Sequence, residues 1–205
     1  MHQLGGAPLH PGREARGGGL RAIPLPLQVA RRQGHHPLSA PSETSQPIWY
    51  FAYGSNMCRA IFCERRAMCA LETRTGWLED YRLLFDLPVG PGERGVANIE
   101  PATGECTHGV LYLLTPADFD RLDWTEGVNV RLYDRIPVTV AVGDGEQLAA
   151  FTYRSSRSTP GRKPSLRYMR LLLEGAAEHG LPPEYVRFLQ SFELAIDERE
   201  ARPAT

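Results

Sequence analysis
The chain has 205 residues, room for one domain of ordinary size or two small ones. Hydrophobic residues make up 42% and charged residues 23%, a normal globular mixture, and 23 basic against 24 acidic side chains leave a formal charge of −1. A near-neutral total gives no electrostatic reason to expect nucleic acid or an anionic membrane as partner. No apolar run approaches the ~20 residues that span a bilayer, so a soluble, cytoplasmic domain without a membrane partner is expected.

Residues 1–47 differ from everything after them. They are dense in Gly, Pro, Arg and His, contain no aromatic residue, and carry five arginines against Glu14 and Glu43. Such a composition buries too little apolar area to offset chain entropy, so a disordered extension is expected. Three readings compete for it. Arginine richness suggests a transit peptide, but prolines and glycines break the amphipathic helix that one needs. A basic arm for an anionic partner is the second, and an extension without function is the third and favoured reading. The apolar stretch 22–30 is broken by Pro24 and Pro26, which argues against a secretory signal. The folded domain is expected over 48–196, with a frayed tail over 197–205.

From Ile48 the texture changes. IWYFAY (48–53) is aromatic and β-prone and stops at Gly54. Residues 56–68 predict a helix capped by Ser55 or Asn56. WLEDYRLLFD (77–86) and GVANIEP (95–101) read as strands separated by the Gly/Pro cluster PVGPGERG. THGVLYLLT (107–115) is apolar on both faces, as in a buried sheet or closed barrel. PADFDRLDWTEG (116–127) predicts a helix with Thr115 as N-cap, Pro116 at the first helical position, Asp118 as the third, and Gly127 as its stop. RIPVTVAV (135–142) alternates, with Ile136, Val138, Val140 and Val142 on one face. Gly143-Asp144-Gly145 then turns the chain into a hairpin partner at 146–155. A helix over 165–180 shows the stripe Leu166, Met169, Leu173, Ala176. After Pro182-Pro183 a last helix carries Tyr185, Phe188, Leu189 and Phe192. Clustered strands at hairpin spacing suggest a mixed α/β (α+β) domain around a mostly antiparallel sheet that closes into a small barrel with flanking helices.

Familiar catalytic templates are absent: there is no G-x-x-x-x-G-K-[ST], G-x-G-x-x-G, H-E-x-x-H or G-x-S-x-G. Cys58, Cys63, Cys69 and Cys106 lack metal-site spacing and read as reduced structural thiols. His108 and His179 read as structural.

Two places frame chemistry. In YFAYGSNM (50–57) an aromatic strand runs into Gly54, Ser55 and Asn56 where a helix begins. Unpaired N–H groups at a helix start, a glycine open to close approach, a hydroxyl and an amide make a cradle for a carboxylate or oxyanion. The same spacing also fits an ordinary cap. In LDWTEGV (122–128), Glu126 stands at a helix C-terminus, where the dipole disfavours a negative charge. Buried beside aromatics it could move a proton near neutral pH. Left in solvent it is an ordinary surface glutamate.

The ordered set of motifs resembles the gamma-glutamylcyclotransferase family over Tyr50 to about Glu193. YFAYGSNM resembles the family's FAYGSN loop, with Met57 in place of the commoner leucine. GVLYLL, then LDWTEGV and Tyr133, resembles its strand–helix–EGV–strand segment. AAFTYRS (149–155) and PSLRYMRLLLEGAAEHGLPPEYVRFLQ (164–190) resemble its tyrosine-bearing strand and closing helices. The resemblance implies a closed, mostly antiparallel barrel and a cofactor-free, metal-free reaction. In it the α-amino group of a γ-glutamyl unit attacks its own γ-carbonyl, forming 5-oxoproline and releasing an amine or amino acid. It implies Glu126 as the catalytic proton carrier, and Tyr50, Phe51, Ala52, Tyr53, Gly54, Ser55, Asn56 and Tyr168 as substrate-binding residues. Tyr133 and Tyr153 are expected to line the cavity. Arg154, Arg157, Arg162 and Arg167 make the 154–167 loop basic, either to select an acidic acceptor or as solvated surface. Relatives that remove a γ-glutamyl group from a biosynthetic intermediate or a γ-glutamylamine, and a non-catalytic small-acid-binding barrel, are the alternatives. Monomer and homodimer both remain open.

Overall fold
The computed structural model describes residues 46–90, 92–143 and 145–196. The expectations for residues 1–45 and for the 197–205 tail therefore lie outside the described residues. Strand β1 (Ile48–Ala52) leads through a 3-10 turn (Ser55–Met57) and a π-helical segment (Ala60–Arg65) into a long hairpin of β2 (Glu72–Pro88) and β3 (Arg94–Leu114). Helix α1 (Pro116–Thr125), strands β4 (Asp134–Val142) and β5 (Glu146–Arg154), a two-residue β6 (Lys163–Pro164), α2 (Leu166–Glu178) and α3 (Pro183–Gln190) follow.

The sheet runs β1-β5-β4-β2-β3, and β3 pairs back on β1, so five strands close a barrel, with β6 added beyond β3. Closure comes from the antiparallel register Ile48↔Leu114 to Ala52↔Val110. Only the β1–β5 seam of the barrel is parallel, through Tyr50↔Phe151. The closed, mostly antiparallel barrel with flanking helices is thus the observed fold. Closure leaves no free edge on these five strands. It also buries both faces of β1, which is why Phe51 and Ala52 are fully buried along with Tyr50. Phe62, Phe119, Ile99, Leu111, Leu114, Leu122, Leu172 and Leu189 complete a core running from the barrel interior to the helices. Each such side chain contributes roughly 1.5–3 kcal/mol on burial.

Several local predictions hold. Thr115 caps α1, accepting the Asp118 N–H at 3.2 Å, and Pro116 opens the helix. Gly127 ends it at φ +70, a backbone geometry that favours glycine. Val138, Val140 and Val142 are buried along β4.

Three expectations change. Residues 56–68 are not one α-helix. The chain makes a 3-10 turn and then π turns, and neither Ser55 nor Asn56 caps either segment with its side chain. Strands 95–101 and 107–115 are one strand, β3. Residues 102–105 bulge from the ladder between Glu79↔Cys106 and Tyr81↔Pro101, which puts Pro101 at an irregularity rather than in a regular ladder. On α2 the buried face is Met169, Leu172, Gly175 and Ala176; Leu166 is 44% exposed and Leu173 only half-buried. The face is turned because Gly175 sits against the 57–58 backbone: a Cβ there would lie 2.6 Å from the Met57 carbonyl carbon and 2.7 Å from the Cys58 nitrogen. On α3, Tyr185 and Leu189 are buried while Phe188 stays partly exposed. Phe192 packs on Phe85 with centroids 4.8 Å apart.

Candidate active site
A cavity of about 210 Å³ opens where the 53–56 loop, the C-terminus of α1, the start of β4 and the N-terminus of α2 converge. Tyr50, Tyr53, Gly54, Ser55, Asn56, Glu126, Tyr133, Tyr153 and Tyr168 all line it. Phe51 and Ala52, expected as substrate-binding residues, do not. They are fully buried in the barrel wall, paired with Leu111 and Val110, and the Phe51 carbonyl also accepts from the Thr152 hydroxyl at 2.8 Å. Arg154, Arg157, Arg162 and Arg167 also stay away from the cavity. Arg157 donates to the Val130 carbonyl at 3.0 Å, and Arg162 donates to the Gly92 carbonyl.

Glu126 is the C-cap residue of α1, and its side chain is only 12% exposed. Two groups meet its Oε1: the Asn56 amide donates to it at 2.8 Å, and the Arg66 guanidinium Nη1 forms an ion pair with it at 2.9 Å. These offset the unfavourable dipole at the helix end. Asn56 is therefore not a helix cap but a bridge. Its Nδ2 also donates to the Tyr50 phenol at 2.9 Å, and its buried Oδ1 has no partner among the described residues. Arg66 was not singled out from the sequence. It ends an irregular segment with no readable period, and only the tertiary fold brings it to Glu126. Val96, Ala97, Thr125 and Leu132 complete the lining. Among the described lining residues Glu126 and Arg66 are the charged pair.

Five phenols form the wall, and their hydrogens are used differently. Tyr53 donates to the Tyr153 carbonyl at 2.5 Å, Tyr133 to the Ala97 carbonyl at 2.7 Å, and Tyr153 to the Asp123 carboxylate at 2.6 Å. Asp123 is itself held by Arg135 at 3.0 Å. Those three rings are pinned. Tyr50 instead accepts from Asn56, and Tyr168 accepts the Ala97 N–H at 3.2 Å, and among the described residues neither donates its own O–H. Burial pushes the Tyr50, Tyr53 and Tyr133 phenols well above the ordinary tyrosine value near 10. The charge of Glu126 adds to the burial effect at Tyr50. Burial also raises Tyr168, opposed by hydrogen bonds from Ala97 and Ser55. All of these phenols are neutral donors at physiological pH.

The helix start that the loop was expected to provide is a single 3-10 turn, whose first internal bonds are Met57 N–H to Gly54 carbonyl and Cys58 N–H to Ser55 carbonyl. Gly54 lies close under the site: a Cβ there would be 3.1 Å from the Tyr168 hydroxyl and 3.2 Å from the Ala97 Cβ. Among the described residues no group of three or more His, Cys, Asp or Glu side chains is gathered to hold a metal ion. No described helix is long and apolar enough to cross a membrane.

The barrel, the loop and the helix ends thus enclose a small cavity in which one carboxylate stands among neutral phenols. The AIG2-like family model matches residues 107–189. A gamma-glutamylcyclotransferase from Bos taurus is 32% identical over 161 residues, covering 74% of this chain and 82% of that protein. The Homo sapiens gamma-glutamylcyclotransferase is 30% identical over 172 residues, covering 76% and 83%. A solved gamma-glutamyl cyclotransferase structure superposes with a TM-score of 0.68 at 28% identity, covering 75% of this chain and 92% of that one. The chain belongs to the gamma-glutamylcyclotransferase family and is an enzyme of that type.

Proposed function
We propose that the enzyme releases 5-oxoproline and a free amine or amino acid from a small γ-glutamyl substrate by intramolecular aminolysis, with Glu126 carrying the protons. The observation that carries this reading is Glu126 itself: a carboxylate 12% exposed, at the end of a helix that disfavours it, held facing a cavity beside the 53–56 loop.

The chemistry follows from the groups present. The substrate α-ammonium must lose a proton before its nitrogen can attack the γ-carbonyl. The ring N–C bond forms, the bond to the leaving nitrogen breaks, and that nitrogen must be protonated. In full, the α-ammonium gives up two protons to become the ring amide N–H, and the leaving nitrogen takes up two to become an ammonium. One carboxylate can relay them and end as it began. Attacking and attacked groups belong to one molecule, so the site need only hold the folded conformer. Tyr50, Tyr53, Gly54, Ser55, Asn56 and Tyr168 hold it in this reading. The O–H of Tyr168, and the Ser55 hydroxyl and N–H once a ligand draws them from the Tyr168 oxygen, offer donors to the α-carboxylate or the developing oxyanion. The unpartnered Asn56 Oδ1 offers an acceptor to the ammonium. Tyr133 and Tyr153 shape the cavity as pinned walls. No cofactor or metal enters this sequence of steps.

A cytoplasmic setting goes with the reading, and the four unpaired cysteines support it. The test is incubation of the full chain with a panel of γ-glutamyl amides and γ-glutamyl amino acids while 5-oxoproline is measured. Stoichiometric 5-oxoproline and free amine from at least one is expected. Release of free glutamate instead would mean hydrolysis and would contradict cyclisation.

A further inference from the structure
We infer that Arg66 is a positioning residue that dedicates one oxygen of Glu126 to anchoring and leaves the other for the proton. The inference rests on the reading of Glu126 as the proton carrier.

Both protein contacts to the carboxylate fall on the same atom. Asn56 Nδ2 at 2.8 Å and Arg66 Nη1 at 2.9 Å converge on Oε1, and among the described residues Oε2 has no hydrogen-bond partner. The donors arrive from different segments: Asn56 from the 3-10 turn after β1, Arg66 from the end of the π-helical segment. Arg66 is in turn clamped to α1. Its Nη1 also donates to the Thr125 hydroxyl, and that hydroxyl donates to the Leu122 carbonyl at 2.9 Å. Nη1 thus touches two neighbouring residues of one helical turn, by a hydrogen bond at Thr125 and an ion pair at Glu126, so the guanidinium fixes the carboxylate relative to the backbone that carries it. Thr125, Glu126 and Arg66 all line the cavity.

The consequence is directional. A carboxylate free to rotate would present either oxygen to the substrate nitrogen. One gripped at Oε1 presents Oε2, and a proton carrier must keep that aim through every transfer, from the attacking nitrogen and to the leaving one. Removing one partner of a pair whose side chains are only 20% and 12% exposed leaves the other charge poorly compensated, so Arg66→Met should melt lower than the wild type and rates are compared on protein shown to be folded.

The test is a double-mutant cycle of Arg66→Met and Glu126→Gln, with Arg66→Lys as the conservative variant and melting temperature followed throughout. Misplacing a catalytic group lowers kcat by roughly 10- to 100-fold, so Arg66→Met should lose that much in kcat with KM within a few-fold. Arg66→Lys, which keeps a cation, should recover most of it. In the Glu126→Gln background Arg66→Met should change the residual rate less than about twofold, because a group acting through Glu126 has nothing left to position. The same proportional loss in both backgrounds, or a change confined to KM, would show Arg66 touching substrate and overturn the inference. Normal kcat in Arg66→Met, with Glu126→Gln inactive, would overturn this inference alone. Near-normal turnover in Glu126→Gln would overturn both this inference and the reading beneath it. Should Arg66→Met fail to fold, Arg66→Lys with Asn56 intact still decides: a folded Lys variant as slow as Glu126→Gln contradicts anchoring by charge.

Discussion
Glu126 illustrates how a position unfavourable in isolation becomes usable in context. The helix dipole opposes a carboxylate at the end of α1, and Asn56 and Arg66 compensate it from outside the helix. The same residue-level accounting separates the tyrosines. Among the described residues Tyr168 donates its O–H to none, while Tyr133 commits its own to the Ala97 carbonyl. One hydrogen bond contributes ~0.5–1.5 kcal/mol, so Tyr168→Phe should lower kcat/KM by roughly 2- to 15-fold with the melting temperature nearly unchanged. Tyr133→Phe should do the reverse, since it leaves a carbonyl without its donor at a cost of ~1–3 kcal/mol in stability. Steady-state kinetics and thermal melts of the two variants check this. Unchanged kcat/KM in Tyr168→Phe with every substrate tested would remove that phenol from the site.

At the scale of elements, the site depends on how α2 meets the loop after β1. Gly175 allows that contact, and an added methyl would meet backbone atoms of Met57 and Cys58 at 2.6–2.7 Å, which cannot rotate away as a side chain could. Gly175→Ala gains up to ~1 kcal/mol of helix propensity but incurs overpacking of ~1–3 kcal/mol. The clash should win. A melting temperature a few degrees lower is expected, together with reduced turnover, because the displaced backbone is continuous with Asn56. A more stable, fully active variant would contradict the packing. The elements whose rules are local were legible in the sequence: Thr115, Pro116 and Asp118 start α1, Gly127 stops it, and the valines of β4 alternate. Residues 56–68 were not, because π and 3-10 turns carry no 3.6-residue signature, and the single strand β3 was hidden by Pro101 and Gly104. Of the site, the residues of the loop and the tyrosines could be named from motif resemblance. Phe51 and Ala52 belong to the same motif yet serve the barrel wall, since closure buries both faces of β1. Arg66 had no local signal at all.

The folded domain is a closed barrel that shelters phenols. Of its eight tyrosines, seven (Tyr50, Tyr53, Tyr112, Tyr133, Tyr153, Tyr168 and Tyr185) are raised above the ordinary value, in each case chiefly by burial. In the unfolded chain they ionise near pH 10. Below that pH their contribution to stability is fully present. Above it the unfolded state releases protons that the folded state retains, so stability falls as pH rises. Phenolate absorbance should therefore appear together with cooperative loss of near-ultraviolet circular dichroism. Formation of more than one phenolate near pH 10 with the native signal intact would contradict the burial. The fold's purpose in this account is to hold one carboxylate where it can relay protons, and the most direct test is the rate of 5-oxoproline release by Glu126→Gln. That change keeps size and removes basicity, and general acid–base catalysis contributes about 10²–10⁴-fold. The account predicts a loss of at least the lower figure, with substrate still bound and the fold intact. Turnover within a few-fold of wild type would contradict it.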